Sequence, residues 1–398
     1  MNIGIIVDND LNNDNRVLRE AEILKGTGYN IFALCFGFDN GSFKPVEGVA
    51  ITRIRINRKI KNALFFLFNM IPVYEWIWSS AIKKFIIANK LDVIHAHDLY
   101  MAKCTRQAIM KSCPDTRLVL DLHENFAFSV TSYNWTKGFI RNIISRPSAW
   151  AKKEGKYLNY TDGIVVLSRE YQEKLTGKYD QLNKKYFCVF PNVPDLVKMS
   201  TAPVDPGIVP FRKRAPLMFY YGVIAERRGI FDALSVLSEV LRSGHDLEFL
   251  MIGPVDKKDK KRFETAISSE GLRDRVIYIP WIDHSQLMTY LEISDFCIAP
   301  FLRNPQHESG VANKIFEYMF GGKPVIASAC RPQQTLIEKH RCGIIFEDNA
   351  GFRSAIIRLL EDNALREQMG KNGKNAVILE YNIEKAGKNL IDFYDLFK

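Results

Sequence analysis

The chain opens on an apolar run, IGIIVD (3–8), that ends in a polar loop. A short run without alternation marks a strand buried on both faces of a parallel sheet. Behind it Val17, Leu18, Ala21 and Leu24 fall at helical spacing, and Gly26-Thr27-Gly28 closes the helix. NIFALCF (30–36), DVIHAH (92–97), RLVLDLH (117–123) and GIVVLS (163–168) are further strand-like runs separated by helical patterns. The same grammar restarts at PLMFYYG (216–222). It continues through EFLMIG (248–253), RVIYIP (275–280), DFCIAPF (295–301), KPVIAS (323–328) and CGIIF (342–346). Strand alternating with helix predicts parallel, doubly wound sheets. Pro191, Pro194, Pro203, Pro206, Pro210 and Pro216 crowd the stretch between the two series, which is a linker composition. The expected chain is therefore α/β, with two Rossmann-like domains at 1–195 and 215–375, a linker at 196–214 and a helical segment at 376–398. Ligands in such folds sit outside the carboxyl ends of the strands, so two facing domains would hold them in a cleft.

At 398 residues the chain is too long for one ordinary core. With 47% hydrophobic and 25% charged residues it is a globular mix. Its seven cysteines include no CxxC pair, so neither a disulfide framework nor a zinc site is suggested, and a reducing cytoplasm is the expected compartment. MNIGIIVDND lacks the apolar run of a signal peptide. The most apolar stretch, residues 63–78, is interrupted by Asn69, Pro72 and Glu75, and falls short of the roughly 18 apolar residues a membrane span needs. The net charge of +10 is uneven: residues 1–200 carry 28 Lys/Arg against 19 Asp/Glu, the remainder 27 against 26. A basic, aromatic-rich first half suits an anionic membrane surface or an acidic substrate. No zinc-finger, RNP-type or helix-turn-helix signature accompanies it, so nucleic acid is not an expected partner.

The residues just after the strands carry a resemblance. NDNRVLREAEILKGTGYNI (13–31), VIHAHDL (93–99), DLHEN (121–125), YYGVIAERRGI (220–230) and ESGVANKIFEYMFGGKPVIAS (308–328) resemble, in order, the ligand-facing segments of the family-4 glycosyltransferases of the GT-B fold. The last is the most specific, and the ordered set covers nearly the whole chain. The resemblance implies a retaining transfer of sugar from a nucleoside-diphosphate sugar to a hydroxyl acceptor, with no cofactor and no metal, in surface polysaccharide or glycolipid assembly. It implies catalytic roles for His123, Arg228 and Glu308. It implies donor contacts for Gly222, Arg227, Arg228, Ser309, Gly310, Asn313, Lys314 and Glu317, and acceptor contacts for Asp14, Arg16, His97 and Glu124. Domain closure over the donor would exclude water.

The residue chemistry fits, with departures. A carboxylate at Glu317 can accept both vicinal hydroxyls of a ribose. Arg228, at the start of a helix, would meet the charge growing on a diphosphate leaving group. The family's second cation directly after the first glycine is Val223 here, leaving Arg227 or Lys314 as substitutes; Lys314 reads equally as the helical partner of Glu317. The family's first motif glutamate falls on Ser309, with Glu308 one residue earlier. Gly310 would let backbone approach the donor. Asp14 reads as a helix cap or an acceptor contact, and Glu124 as a cap or an acceptor contact. His95 reads as structural, and His245, His284, His307 and His340 show no metal-ligand spacing. Asp8-Asn9-Asp10 spells DxD but lies directly after the first strand, the wrong place for that metal motif. Residues 58–86 mix Lys/Arg with Phe and Trp, as in a helix lying on an anionic leaflet, or as in a core helix with a wet basic face. A lipid-linked acceptor, and peripheral contact with the inner face of the cytoplasmic membrane, would follow from the first. Two other functions stay open: a sugar-nucleotide epimerase, and a non-catalytic nucleotide-sugar-binding partner subunit. A nicotinamide dehydrogenase is disfavoured by the missing GxGxxG.

Overall fold

The structure is a computed structural model that describes residues 1–12, 14–38 and 45–398. The chain divides into two compact units, Met1–Pro191 with Ala386–Lys398, and Asn192–Lys385.

The first unit is built on β1 (Asn2–Ile6), β2 (Asn30–Gly37), β3 (Val49–Arg55), β4 (Val93–His97), β5 (Arg117–Asp121), β6 (Gly163–Val166) and β7 (Tyr186–Val189). They pair in parallel in the order β3-β2-β1-β4-β5-β6-β7. The five inner strands are the ones the apolar runs predict. The two that the runs miss, β3 and β7, are the sheet's edges. An edge strand is covered less completely, so its sequence need not be a continuous apolar run: β3 reads VAITRIR and alternates between half-buried and exposed.

The second unit repeats the plan with β8 (Leu217–Tyr221), β9 (Glu248–Ile252), β10 (Val276–Ile279), β11 (Phe296–Ala299), β12 (Val325–Ser328) and β13 (Gly343–Phe346). Their order is β10-β9-β8-β11-β12-β13, again parallel. Each face of this sheet carries its own apolar cluster, one around Phe219, Leu250 and Phe316, the other around Phe249, Met251 and Leu237.

In each sheet the direction of winding reverses once, between β1 and β4 and between β8 and β11. Loops diverge there and leave a crevice at the strands' carboxyl ends.

Helix α1 (Asn15–Lys25) starts where the Asp14 carboxylate accepts the Val17 N–H, and it buries Val17, Ala21, Leu24 and also Glu20. Pro72 separates α2 (Arg58–Phe66) from α3 (Val73–Asn89). Helix α3 turns Tyr74, Trp78, Ile82, Phe85 and Ile86 into the core, so most of the large apolar residues expected at a membrane are packed against protein. Among the described residues no helix is long and apolar enough to cross a membrane.

The unit boundaries differ from those suggested by proline content. Residues 192–214 count with the second unit: Met199 joins its core and the Asp205 N–H donates to Thr289 Oγ1 at 3.0 Å. Residues 386–398, the end of the helix Ile383–Asp395, return to the first unit and bury Leu390, Phe393 and Tyr394.

Candidate active site

In the first unit the crevice after β1 and β4 holds a buried polar network. Parallel pairing sets His97, the last residue of β4, directly beside Asp121, the last of β5. Arg16, on the first turn of α1, grips Asp121 with two parallel hydrogen bonds, Nε to Oδ2 at 2.7 Å and Nη2 to Oδ1 at 2.9 Å. Its remaining arm donates to the Phe190 carbonyl at 2.9 Å, and Nε lies 3.1 Å from Glu20. His123 Nε2 stands 3.0 Å from Asp121 Oδ2 and 2.7 Å from His97 Nδ1. His95 stacks on His97 and shares a 2.7 Å hydrogen bond with the Tyr394 hydroxyl.

The protonation states follow. Burial favours a neutral Asp121, but Arg16 and His123 outweigh it and hold the carboxyl well below its usual range. Burial also disfavours a charged His123, yet the Asp121 carboxylate reverses this and pushes it up to about 9. His97 and His95, without a dominant anion, are lowered by burial. Glu20 is raised by burial and by the Asp121 charge. A cationic His123 therefore donates from Nε2, which faces both Asp121 Oδ2 and His97 Nδ1. His123 is half-buried and meets solvent more than the rest of the network, with 22% of its side chain exposed. Beside it Asp98 has left-handed backbone (φ 72°), and burial pushes its carboxyl up to about 6. Such backbone strain collects at functional positions.

Glu20, His95, His97 and Asp121 have the composition of a metal site, with ligand atoms within 4.8 Å of one another. The Arg16 guanidinium already pairs with both carboxylates, so a divalent ion would be set against a permanent positive charge. The carboxylates of the DxD triplet face cations too: Asp8 is 3.1 Å from Lys61, and Asp10 is 3.3 Å from Arg58.

The second unit's crevice is different in kind. Gly222 ends β8 with φ 128°, and a Cβ there would fall 2.6 Å from Lys314 Nζ. Gly229 has φ 71°, and a Cβ would fall 1.6 Å from the Pro300 carbonyl oxygen. The two glycines let the loop 222–229 lie against the end of β11 and the helix Asn313–Phe320. Arg228 sits over the Phe301 ring at 5.1 Å, and its buried Nε has no hydrogen-bond partner. Lys314 Nζ lies 3.8 Å over the Tyr220 ring. Burial, with Arg228 nearby, presses the Lys314 ammonium well below its ordinary range, and burial lowers Arg228 as well. His307 is lowered to about 4, by burial first and by the same cations. Among the described residues none of Arg227, Arg228 and Lys314 makes an ion pair with a carboxylate; Glu226 goes to Arg262 instead. Uncompensated positive charge in a crevice at a helix start is what an anion-binding site requires. One turn into that helix, the buried Glu317 holds His284 Nε2 at 3.0 Å.

Residues 15–197 match the family model Glycosyltransferase Family 4, and residues 203–376 match Glycosyl transferases group 1. The chain is a member of the family-4 glycosyltransferases. Among curated relatives of this glycosyltransferase is the alpha-D-kanosaminyltransferase of Streptomyces kanamyceticus. It is 28% identical over 181 residues, 45% of this chain and 45% of that one. A lipopolysaccharide core biosynthesis glycosyltransferase (LpsD) of Rhizobium meliloti is 25% identical over 176 residues, 44% of this chain and 48% of that one. The chain spans a little under half the length of these two relatives. HepE of Anabaena, solved in complex with UDP, superposes with a TM-score of 0.71 at 13% identity, over 100% of both chains. At that identity the likeness is one of fold, two Rossmann-like domains of the GT-B type.

The fold gathers Arg228, Lys314, Gly222 and Glu317 in one crevice and His97, His123 and Arg16 in the other. Arg227 is exposed, as is Asn313 at the helix start, and Gly310 is half-buried. Four residues have other duties. Glu308 uses both oxygens within its own unit, on Arg303 Nε at 2.9 Å and on the Arg331 N–H at 2.9 Å. The Ser309 hydroxyl donates to the Gln306 carbonyl at 2.6 Å. Asp14 caps α1 and accepts from Asn9 Nδ2 at 2.8 Å. Glu124 accepts from the Tyr133 hydroxyl. Arg16 turns inward, with its guanidinium on Asp121 rather than in solvent.

Sequence reading did not single out Asp121, Glu20, Asp98 or Tyr394, and it placed His284 among unconnected histidines. Asp121 had a readable signal, since two parallel strands that end together bring their last residues side by side.

Proposed function

We propose that this glycosyltransferase moves a sugar from a nucleoside-diphosphate sugar to a hydroxyl acceptor, with retention of configuration and without a metal. The observation that carries the reading is the unpaired Arg228–Lys314 cation pair beside Glu317. The diphosphate would sit against these cations and the loop 222–229, and the Glu317 carboxylate would accept the ribose hydroxyls. With Glu308 engaged elsewhere, the donor sugar would be held by backbone N–H groups around Gly310. The first unit would offer the acceptor its cationic His123, a fixed hydrogen-bond donor. As the bond from the anomeric carbon to phosphate breaks, the acceptor oxygen bonds to the same face. The acceptor's proton passes to the departing phosphate oxygen. Arg228 and Lys314 take the growing negative charge, which is the part a metal plays elsewhere.

The UDP bound in HepE supports a nucleotide donor. The lipopolysaccharide role in the name of the Rhizobium relative supports a surface glycolipid or polysaccharide acceptor. The basic first half suits an acceptor presented at an anionic leaflet. A second reading, a non-catalytic nucleotide-sugar-binding subunit, draws on the internal bonding of Glu308 and Ser309.

The test is a thermal-shift and turnover screen against UDP-, GDP-, ADP- and dTDP-sugars in EDTA, with Glu317→Ala alongside. The expected result is stabilisation by one nucleotide and its EDTA-resistant release, both lost in the variant. Binding without release, with acceptors present, favours the second reading. No stabilisation by any nucleotide overturns both.

A further inference from the structure

Two segments of the first unit lie side by side: the turn 67–71 after α2, and the helix Phe139–Ser145. Asn69 Nδ2 donates to the Ser145 carbonyl at 2.7 Å, and Lys153 Nζ donates to Asn69 Oδ1 at 2.7 Å. Trp135 rests edge-on against Phe65, centroids 5.6 Å apart. On this joined surface Met70, Ile71, Phe139, Ile140 and Ile143 stand in solvent, Phe139 at 83% and Ile140 at 70% exposure. A cluster of large apolar side chains at such exposure marks an interaction surface.

The charge around it identifies the partner. Residues 48–74 and 125–153 contain five Lys/Arg each and no Asp or Glu. Arg58 and Lys61 are held by Asp10 and Asp8, while Lys59, Lys137, Arg146 and Lys152 are exposed. Projecting apolar groups and exposed cations on segments that carry no Asp or Glu of their own complement a lipid leaflet. The side chains enter between headgroups and the cations meet phosphates. Of the 58–86 segment, α2 and the turn join this surface through Phe65 and Asn69.

We propose that the first unit docks on an anionic membrane leaflet through the helix Phe139–Ser145 and the turn 67–71. This deepens the reading of an acceptor at a membrane and is tested separately from the donor site. The full chain is sedimented with phosphatidylcholine vesicles, with and without phosphatidylglycerol, and each sample is also given the nucleotide thermal-shift assay. Binding to phosphatidylglycerol vesicles that weakens with salt is expected. Phe139→Asp with Ile143→Asp should reduce it at least about tenfold, and Lys137→Glu with Lys152→Glu about fivefold per charge. Leu379→Asp, on an exposed residue of the second unit, should leave binding intact. Melting temperature and nucleotide response should be unchanged in all of them. Equal binding to both vesicle types, or wild-type sedimentation of the first two variants, overturns the proposal. So does a wild-type dimer that Phe139→Asp dissociates while vesicles are ignored, since a second copy would then be the occupant. Loss of the nucleotide response with vesicle binding retained would sink the donor reading alone.

Discussion

The two crevices of this molecule occupy the same place in two similar sheets, yet their electrostatics are opposite. In the first unit the cations meet carboxylates: Arg16 lies on Asp121 and Glu20, and His123 on Asp121. In the second, Arg227, Arg228 and Lys314 collect with no carboxylate ion pair among the described residues. The first arrangement pairs its cations within the fold; the second leaves them open to an anion. A buried unpaired cation lowers stability, so we expect the second crevice to weaken the fold until an anion binds, while the first uses internal pairing to hold two histidines in fixed states.

Breaking the first network should therefore cost stability. Asp121→Ala takes the two-pronged partner from Arg16 and leaves it only Glu20 as a carboxylate partner, and we expect a loss of about 3–5 kcal/mol. Urea denaturation measures it; a loss near zero would mean that Arg16 relaxes into water. Arg228→Met should do the reverse. Its stem still covers Phe301, so the ligand-free protein keeps or gains melting temperature, while donor turnover falls at least about 100-fold. An equal fall in stability would erase the contrast.

The third prediction concerns pH. The folded value for His123, about 9, exceeds its ordinary 6.5, so its stabilisation is complete below pH 6.5 and disappears as pH rises through 9. Melting temperature should fall across that window, corresponding to about 2–3 kcal/mol after discounting for partial exposure, and His123→Gln should flatten the fall. The smallest effect is expected at His284. Its hydrogen bond to Glu317 raises its pKa, with help from the Glu317 and Asp283 charges. Protonation should tighten its hold on the Glu317 carboxylate, which we propose accepts the ribose hydroxyls. Nucleotide affinity should drop about fivefold between pH 8 and 6, and isothermal titration of His284→Gln should show no such slope.

The division between readable and unreadable features follows the range of the interactions. Inner strands announce themselves because burial on both faces demands an uninterrupted apolar run; the edges β3 and β7 carry no such demand, although the second sheet's edges β10 and β13 still read as apolar runs. Arg228, Gly229, Lys314 and Glu317 are readable because a loop and a single helix position them. The network of Arg16, Asp121 and His123 depends on strand register, and the hydrogen bond between His95 and Tyr394 joins opposite ends of the sequence. Glu20 was the one visible anomaly, a carboxylate on the apolar stripe of α1. Glu308 shows the opposite difficulty: its place in the motif suggests ligand, and its hydrogen bonds are to Arg303 and Arg331.

The return of residues 386–398 to the first unit has a consequence for synthesis. A chain emerges from the ribosome from its amino end, and domains tend to fold in that order. Here the first unit emerges early but lacks Leu390, Phe393 and Tyr394 until the whole of Asn192–Lys385 has been made. His95 waits that long for its hydroxyl partner. The unit translated first is thus completed last, and a ribosome stalled within the second unit would display it with its final helix missing.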